Sequence, residues 1–217
     1  MRKLLPFLVF LLLSESCKAD YTPLKIYEMI IKADKIVTGT IIEMDSTTFT
    51  IQIEKSLTGD SGTITIQKFI NYPCAIRWTN YEIGQKSLFF IEKIFGHYSV
   101  MSGGNEGELP IFGNKIYIRG ISVPFSRHFS NDSKTNSFIG GDFTVYGKRF
   151  VGIDYDILDL YNDIVIIRSC FDFEYSSFKQ VENWSILCKD QVAEFENSTS
   201  KFVCWVYSEA TKIIVKK

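Results

Sequence analysis

The chain has 217 residues, of which 46% are hydrophobic and 15% aromatic, and its 24 basic and 25 acidic residues nearly cancel. A near-neutral chain has no electrostatic basis for holding a phosphate backbone, so we expect no nucleic-acid partner. The length fits one domain with an extension or two small domains, and the apolar content is sufficient for a packed core.

The N-terminal segment has the layout of a secretory signal peptide. Arg2 and Lys3 precede an apolar run over residues 4–13, and small residues lead to Cys17. Such a run serves export, and it is too short for a bilayer, which needs about twenty residues. We therefore predict a signal peptide over residues 1–16 and a protein that is secreted or held in the cell envelope.

Other interpretations of this segment stay open. Cleavage after Ala19 also leaves small residues at the required positions, and a buried N-terminal helix is the structural alternative. A lipid on Cys17 would make the chain a cell-envelope lipoprotein. In that case alone we expect contact with a membrane.

Residues 22–120 predict a short helix followed by a series of strands. Thr22 and Pro23 are typical of a helix start. The segment over residues 35–43 is rich in Ile, Val and Thr, and residues 48–54 alternate cleanly between apolar and polar. Further strands are predicted over residues 63–70, 87–92, 98–101 and 115–119. Short strands joined by turns favour a closed barrel or a sandwich.

Four features occur in a specific order: the stretch from Ile31 to Ile41, the sequence Lys55-Ser-Leu-Thr-Gly59, Cys74, and Gly84 followed by Leu88-Phe-Phe. This order resembles the netrin-like module, the family that includes the N-terminal domain of tissue inhibitors of metalloproteinases. The resemblance covers residues 17–120 and implies an OB-type barrel of five strands. It also implies a disulfide between Cys17 and Cys74, which occupy the positions of the family's first cysteine and its partner; a buried free thiol at Cys74 is the alternative.

The chain departs from this family at its N-terminus. The family begins Cys-x-Cys, whereas this chain has Cys17-Lys18-Ala19 and lacks the second cysteine. The partner that the family pairs with that cysteine is also missing, since residues 101–105 contain no cysteine. In the inhibitors the amine and carbonyl of the first cysteine chelate the zinc of the target. Because Cys17 occupies the position of that first cysteine, inhibition of a metalloproteinase through Cys17 is a further alternative for this chain.

The C-terminal half changes from strand to helix periodicity. We predict a linker and hairpin over residues 121–152, turning at Tyr146-Gly147, and a helical region over residues 153–217. Asp156 is the expected N-cap of the first helix. A second helix is expected from Ser177, and a third from Phe202, although residues 202–207 also fit a strand.

Five cysteines in an exported chain leave one without a disulfide partner inside the chain. If the last two helices are antiparallel, Cys188 and Cys204 lie at similar heights and form the expected disulfide. The pairing of Cys170 with Cys188 is the competing interpretation.

Two short segments are candidate sites. The loop over residues 103–108 places Glu106 and Glu108 on either side of a glycine, where both carboxylates could reach one cation; a plain surface turn is the alternative. Arg77 and Trp78 form either an exposed cationic and aromatic contact or part of a packed barrel loop.

Sequence signatures of hydrolases and zinc sites are absent, so we expect no enzyme activity, no cofactor and no metal. The fold class we predict is mainly β with a C-terminal α region, an OB-type (netrin-like) barrel followed by a helical extension. The function we predict is an exported, non-enzymatic binding protein with an unknown protein partner. The expected contact residues are Cys17, Lys18, Arg77, Trp78, Glu106 and Glu108.

Overall fold

A computed structural model describes residues 22–72, 75–104, 106–126, 138–176, 181–196 and 198–214. The predicted signal peptide, Cys17, Lys18 and Cys74 lie outside these ranges. The predictions placed on them, including the bridge from Cys17 to Cys74, therefore stay predictions.

Five strands form a closed barrel, as the sequence predicted. They are β1 (Lys35–Met44), β2 (Thr48–Ser56), β3 (Thr63–Gln67), β4 (Lys86–Ile94) and β5 (His97–Val100). Their order is β1-β2-β3-β5-β4, and β4 pairs back with β1. All pairs are antiparallel except β3 with β5. This is a Greek-key barrel of the OB type.

Alternating side chains fill the barrel because successive strand residues point to opposite faces. Phe49 and Ile51 of β2 point inward and meet Phe89 of β4. Leu88 and Phe90 point the other way, into a second core outside the barrel. The continuous apolar run of β4 thus reflects a strand that is buried on both faces.

The sheet continues beyond the barrel and across residue 120. Strand β4 also pairs with β6 (Glu108–Phe112), which is followed in space by β7 (Lys115–Arg119), β11 (Lys148–Asp156) and β10 (Gly141–Val145). The predicted hairpin at Tyr146-Gly147 is confirmed and forms the sheet edge. Two short strands, β8 (Phe125–Ser126) and β9 (Phe138–Ile139), pair separately.

Helices cover the second core. They are α1 (Ile26–Lys32), α2 (Ile157–Cys170), α3 (Val192–Glu196) and α4 (Lys201–Ile214), with a 3-10 turn at Lys189–Gln191. Helix α1 begins three residues later than Pro23. Asp156 caps α2 as predicted, since its carboxylate accepts from the backbone of Leu158 and Asp159. Within the described ranges no helix is long and apolar enough to cross a bilayer.

The helix predicted from Ser177 is wrong over residues 181–186, and residues 177–180 lie outside the described ranges. A hairpin of β12 (Phe171–Tyr175) and β13 (Val181–Ile186) lies there instead. Phe173 and Trp184 pack against each other with ring centroids 5.2 Å apart, and both rings also contact Tyr27 of α1. Tertiary packing of these aromatic residues overrides the helical spacing, which the residues also satisfied.

The same hairpin decides the disulfide. It brings the backbone N–H of Leu187 to the carbonyl of Cys170, and Cys170 bonds to Cys188. The preferred pairing of Cys188 with Cys204 is therefore wrong, and its competitor is formed. Cys204 is a free thiol that contacts the carbonyl oxygens of Phe195 and Ser198.

Candidate partner-binding site

The segment over residues 68–85 closes one end of the barrel; we call it the end loop. It begins beside the β1–β2 turn, where the Lys68 N–H donates to the Thr47 carbonyl over 2.8 Å. It ends beside β1, where the Ile41 N–H donates to the Gln85 carbonyl over 2.9 Å. Both ends are therefore held by the barrel.

Arg77 anchors the middle of the end loop from beneath. Its guanidinium forms two hydrogen bonds to Glu108 of β6, one through Nε at 2.9 Å and one through Nη2. Nη2 also donates to Gln85, and Nη1 donates to the carbonyls of Thr79 and Asn80. A guanidinium has five N–H donors, so each one is used.

The pair of Arg77 and Glu108 is buried, with 3% and 1% of each residue exposed. Burial raises the pKa of Glu108, and the charge of Arg77 opposes that rise. Burial would lower the pKa of Arg77, but Glu108 outweighs it and the pKa is raised. Because a neutral Glu108 would leave a buried guanidinium without its counter-ion, the pair is ionised at neutral pH.

Tyr81 completes the anchor. The guanidinium carbon of Arg77 lies 3.7 Å from the centroid of the Tyr81 ring, a cation–π contact. The Tyr81 hydroxyl accepts a hydrogen bond from the Phe69 N–H at 2.9 Å, and burial raises the pKa of Tyr81 to about 12. Its phenol therefore stays protonated at physiological pH.

Arg77 and Trp78 are thus part of a packed barrel loop, and the prediction of an exposed contact is wrong. Trp78 is 1% exposed, and its indole N–H donates to the Glu108 carbonyl at 2.6 Å. Its ring lies 4.7 Å from that of Phe150 on β11. Both residues hold the end loop in place, and neither is an exposed contact residue.

The two carboxylates of the glycine-rich loop are also in the interior. Glu106 is 1% exposed and accepts a hydrogen bond from the Ser102 hydroxyl, while Glu108 faces Arg77. The alternative of a plain surface turn is therefore wrong for both side chains. Among the described residues no three His, Cys, Asp or Glu side chains are grouped so that they could hold a metal ion.

The outer side of the end loop is apolar and exposed. Four of its large apolar side chains are exposed, including Ile83 at 64%. The other three, which we call the loop rim, are Ile70 at 83%, Ile76 at 53% and Tyr72 at 41%. Beside the rim lies a cleft of about 250 Å³. The cleft is lined by apolar, polar and basic residues together: Met44, Phe69, Tyr81, Asn71, Thr79, Asn80, Lys68 and Arg77.

The outer side of the end loop is a surface that another molecule could bury. Exposed apolar groups gain about 25 cal/mol for each Å² that a partner removes from water. Arg77, Glu108 and Tyr81, whose pKa values are raised, are committed to one another through hydrogen bonds and a cation–π contact. The end loop therefore offers area and shape to a partner.

The two residues of this loop that the sequence predicted as contact residues, Arg77 and Trp78, are buried. Arg77 and Trp78 were selected because their types are enriched at interfaces, whereas Ile70, Tyr72 and Ile76 were not selected. Ile70 was expected to end the strand predicted over residues 63–70, but β3 ends at Gln67 and leaves Ile70 in the loop. Tyr72 and Ile76 lie in a segment without strand or helix periodicity. Such residues either fill a core or face solvent, and only the structure shows which.

Comparisons with protein-family models, with curated proteins and with solved structures found no match to this chain.

Proposed function

We propose that this protein is an exported, non-enzymatic binding protein that holds a protein partner at the end loop of an OB-type barrel. The observation that carries the proposal is the contrast between the two sides of that loop. Its inner side is fixed by the buried pair of Arg77 and Glu108. Its outer side exposes Ile70, Tyr72 and Ile76.

A loop that is fixed on its inner side and exposes apolar side chains on its outer side is favourable for binding. A flexible loop must be ordered when it binds, and ordering costs about 0.5–1.5 kcal/mol for each immobilised side chain. A loop held by the barrel at both ends and by an ion pair in its middle avoids much of this cost. Exposed apolar side chains are single and scattered on most soluble proteins, whereas here three lie within seven residues.

The netrin-like assignment remains part of this proposal, and the geometry of the barrel end supports it. The Leu24 N–H lies 3.5 Å from Ser102 Oγ. The ring of Phe69 in the end loop lies against Gly104, where a Cβ would come within 2.4 Å of it. Leu24, near the start of the described ranges, and Phe69 of the end loop therefore both approach the segment over residues 102–104.

Photo-crosslinking in the native host tests the proposal. A photoreactive phenylalanine replaces Ile76, and a matched control carries it at Leu158, which is 63% exposed on α2. We expect discrete adducts from position 76 and none of the same mass from position 158. An excess of unmodified protein should abolish the adducts by competition.

The competitor also provides the decisive control. A competitor with Ile70→Ser and Ile76→Ser keeps the anchor but loses the rim, so it should compete at least about tenfold more weakly, the effect of 1.4 kcal/mol. If this variant competes as well as the unmodified protein, the end loop is not the binding surface.

A further inference from the structure

A second cavity lies away from the end loop, between α1, the segment after β7 and α4. Its volume is about 420 Å³, within the range of sites that bind a whole small molecule. The side chains of Tyr27, Phe125 and Trp205 line it, together with Glu209, Lys25 and the backbone at Gly120. We call it the aromatic cleft.

The aromatic walls meet at an angle. The ring of Tyr27 lies 5.0 Å from that of Trp205, at an interplanar angle of 71°. Trp205 and Glu209 are one helical turn apart on α4, so both side chains reach the same cavity. Phe125 lies against Gly120, where a Cβ would come within 2.0 Å of the ring. The position of the Phe125 wall therefore depends on a residue without a side chain.

Two carboxylates, those of Glu28 and Glu209, act on the Tyr27 hydroxyl in the cleft. Burial raises the pKa of Tyr27, and the carboxylates of Glu28 and Glu209 raise it further. The basic side chain of the lining, Lys25, donates to the carbonyl oxygen of Ile121 over 2.8 Å. Glu209 pairs through one carboxylate oxygen with Lys212 at 2.6 Å, and its side chain remains 30% exposed.

We propose that the aromatic cleft binds a small organic ammonium ion, held by the faces of Tyr27, Phe125 and Trp205 and by the carboxylate of Glu209. Aromatic faces carry negative charge density and attract an ammonium group that has lost water, and several rings act together. The cavity is larger than a single ammonium group, so the ligand is a free small molecule. This site is separate from the end loop, and its binding does not rest on the proposed function.

Titration with choline and with its uncharged carbon isostere, dimethylbutanol, tests the proposal. The readout is the indole N–H signal of Trp205 in an NMR correlation spectrum, assigned by comparison with Trp205→Phe. We expect choline to shift this signal with a dissociation constant on the order of 1 mM. Dimethylbutanol should bind at least about tenfold more weakly, because it lacks the charge.

Two pairs of variants refine the test. Glu209→Gln should weaken choline binding about tenfold, whereas Glu194→Gln, on an exposed position of α3, should leave it unchanged. Gly120→Ala should displace Phe125 and weaken binding, whereas Gly141→Ala meets no atom within 4 Å and should not. Equal binding of choline and dimethylbutanol, or unchanged binding by Glu209→Gln, would overturn the proposal.

Discussion

Arg77 shows how one side chain can set the position of a whole loop. Each of its N–H donors has an acceptor, and its guanidinium also stacks on Tyr81. A buried ion pair contributes little compared with an apolar pair of the same shape, but breaking it leaves an uncompensated charge. The energetic consequence of a substitution therefore depends on whether one or both partners are removed.

We expect Arg77→Met to lower the free energy of unfolding by about 3–5 kcal/mol, because Glu108 would remain buried without its partner. Denaturant unfolding followed by circular dichroism measures the change. The double variant Arg77→Met/Glu108→Leu should recover most of the loss. The matched control is Lys115→Met, since Lys115 pairs with Asp154 over 3.6 Å at the surface and should cost less than about 1 kcal/mol. A similar loss in both single variants would contradict the anchoring role.

Asp163 on α2 is a buried carboxyl group of another kind. It is 3% exposed and accepts a hydrogen bond from the Tyr155 hydroxyl at 3.0 Å. Burial raises the pKa of Asp163, and hydrogen bonds from Ser200 and Tyr155 oppose this rise in part. The folded state therefore binds the proton of Asp163 more tightly than the unfolded chain does.

A raised pKa in the folded state gives stability that is fully present below the unfolded pKa, about 4, and is lost as pH rises through the folded pKa. Asp163→Asn keeps an acceptor for Tyr155 but cannot ionise. We expect the free energy of unfolding of this variant, relative to that of the wild type, to increase as pH rises from about 4 to 7, by on the order of 1 kcal/mol at neutral pH. Unfolding free energies measured across this pH range check the trend. A constant difference at each pH would contradict it.

At the scale of elements, two hairpins use the same strained turn in different ways. Phe95 precedes Gly96 between β4 and β5, and Tyr146 precedes Gly147 between β10 and β11. Both aromatic residues have a positive φ, 48° and 51°. This left-handed backbone suits Asn or Gly and is unfavourable for a bulky side chain. Tyr146 gains from packing against Phe112 at 5.2 Å, whereas Phe95 is 98% exposed.

We therefore expect Phe95→Asn to raise the free energy of unfolding by roughly 0.5–1 kcal/mol, because it relieves the turn and removes no packing. Tyr146→Asn relieves the same backbone strain but loses its ring contacts, so it should be destabilising. Thermal and denaturant unfolding of the two variants measures the difference. Equal changes in the free energy of unfolding would show that the ring contacts of Tyr146 do not stabilise its turn.

At the scale of the whole molecule, two hydrophobic cores share β1 and β4. The barrel core takes Val37 and Phe89, while the outer core takes Ile36 and Leu88 from the same strands. The outer core also joins α1, the sheet beyond the barrel and the C-terminal helices. The barrel and the helical extension are therefore packed together through residues that are neighbours in the sequence.

Intact mass and a non-reducing peptide map of protein from its native host test the organisation of the chain. We expect the peptides that contain Cys170 and Cys188 to be linked, and Cys204 to react with a thiol reagent after unfolding. If the netrin-like proposal holds, the mature chain begins at Cys17 and is linked to Cys74.

Two other results of this experiment would each contradict one part of the expected organisation. A mass increased by acyl chains at Cys17 would identify the lipoprotein alternative and would exclude chelation of zinc by its amine. A link between Cys188 and Cys204 would contradict the C-terminal hairpin, because β12 and β13 hold Cys188 beside Cys170.

The barrel could be predicted from the sequence because the pattern that specifies each strand lies within a few consecutive residues. Residues 48–54 alternate between apolar and polar, and one barrel face is buried, so the pattern itself determines which side chains point inward. The hairpin at Tyr146-Gly147 and the cap at Asp156 were equally local, since each depends on a few consecutive residues.

Strand β6, the β12–β13 hairpin, the disulfide and the surface of the end loop were decided only by tertiary structure. Phe173 and Trp184 fit a strand because Tyr27, more than 140 residues earlier, provides the ring they pack against. Arg77 is buried because Glu108, on a strand that the sequence did not reveal, neutralises it. Local pattern specifies which face of an element is apolar, but contacts between distant segments decide which apolar and charged residues are covered and which remain at the surface.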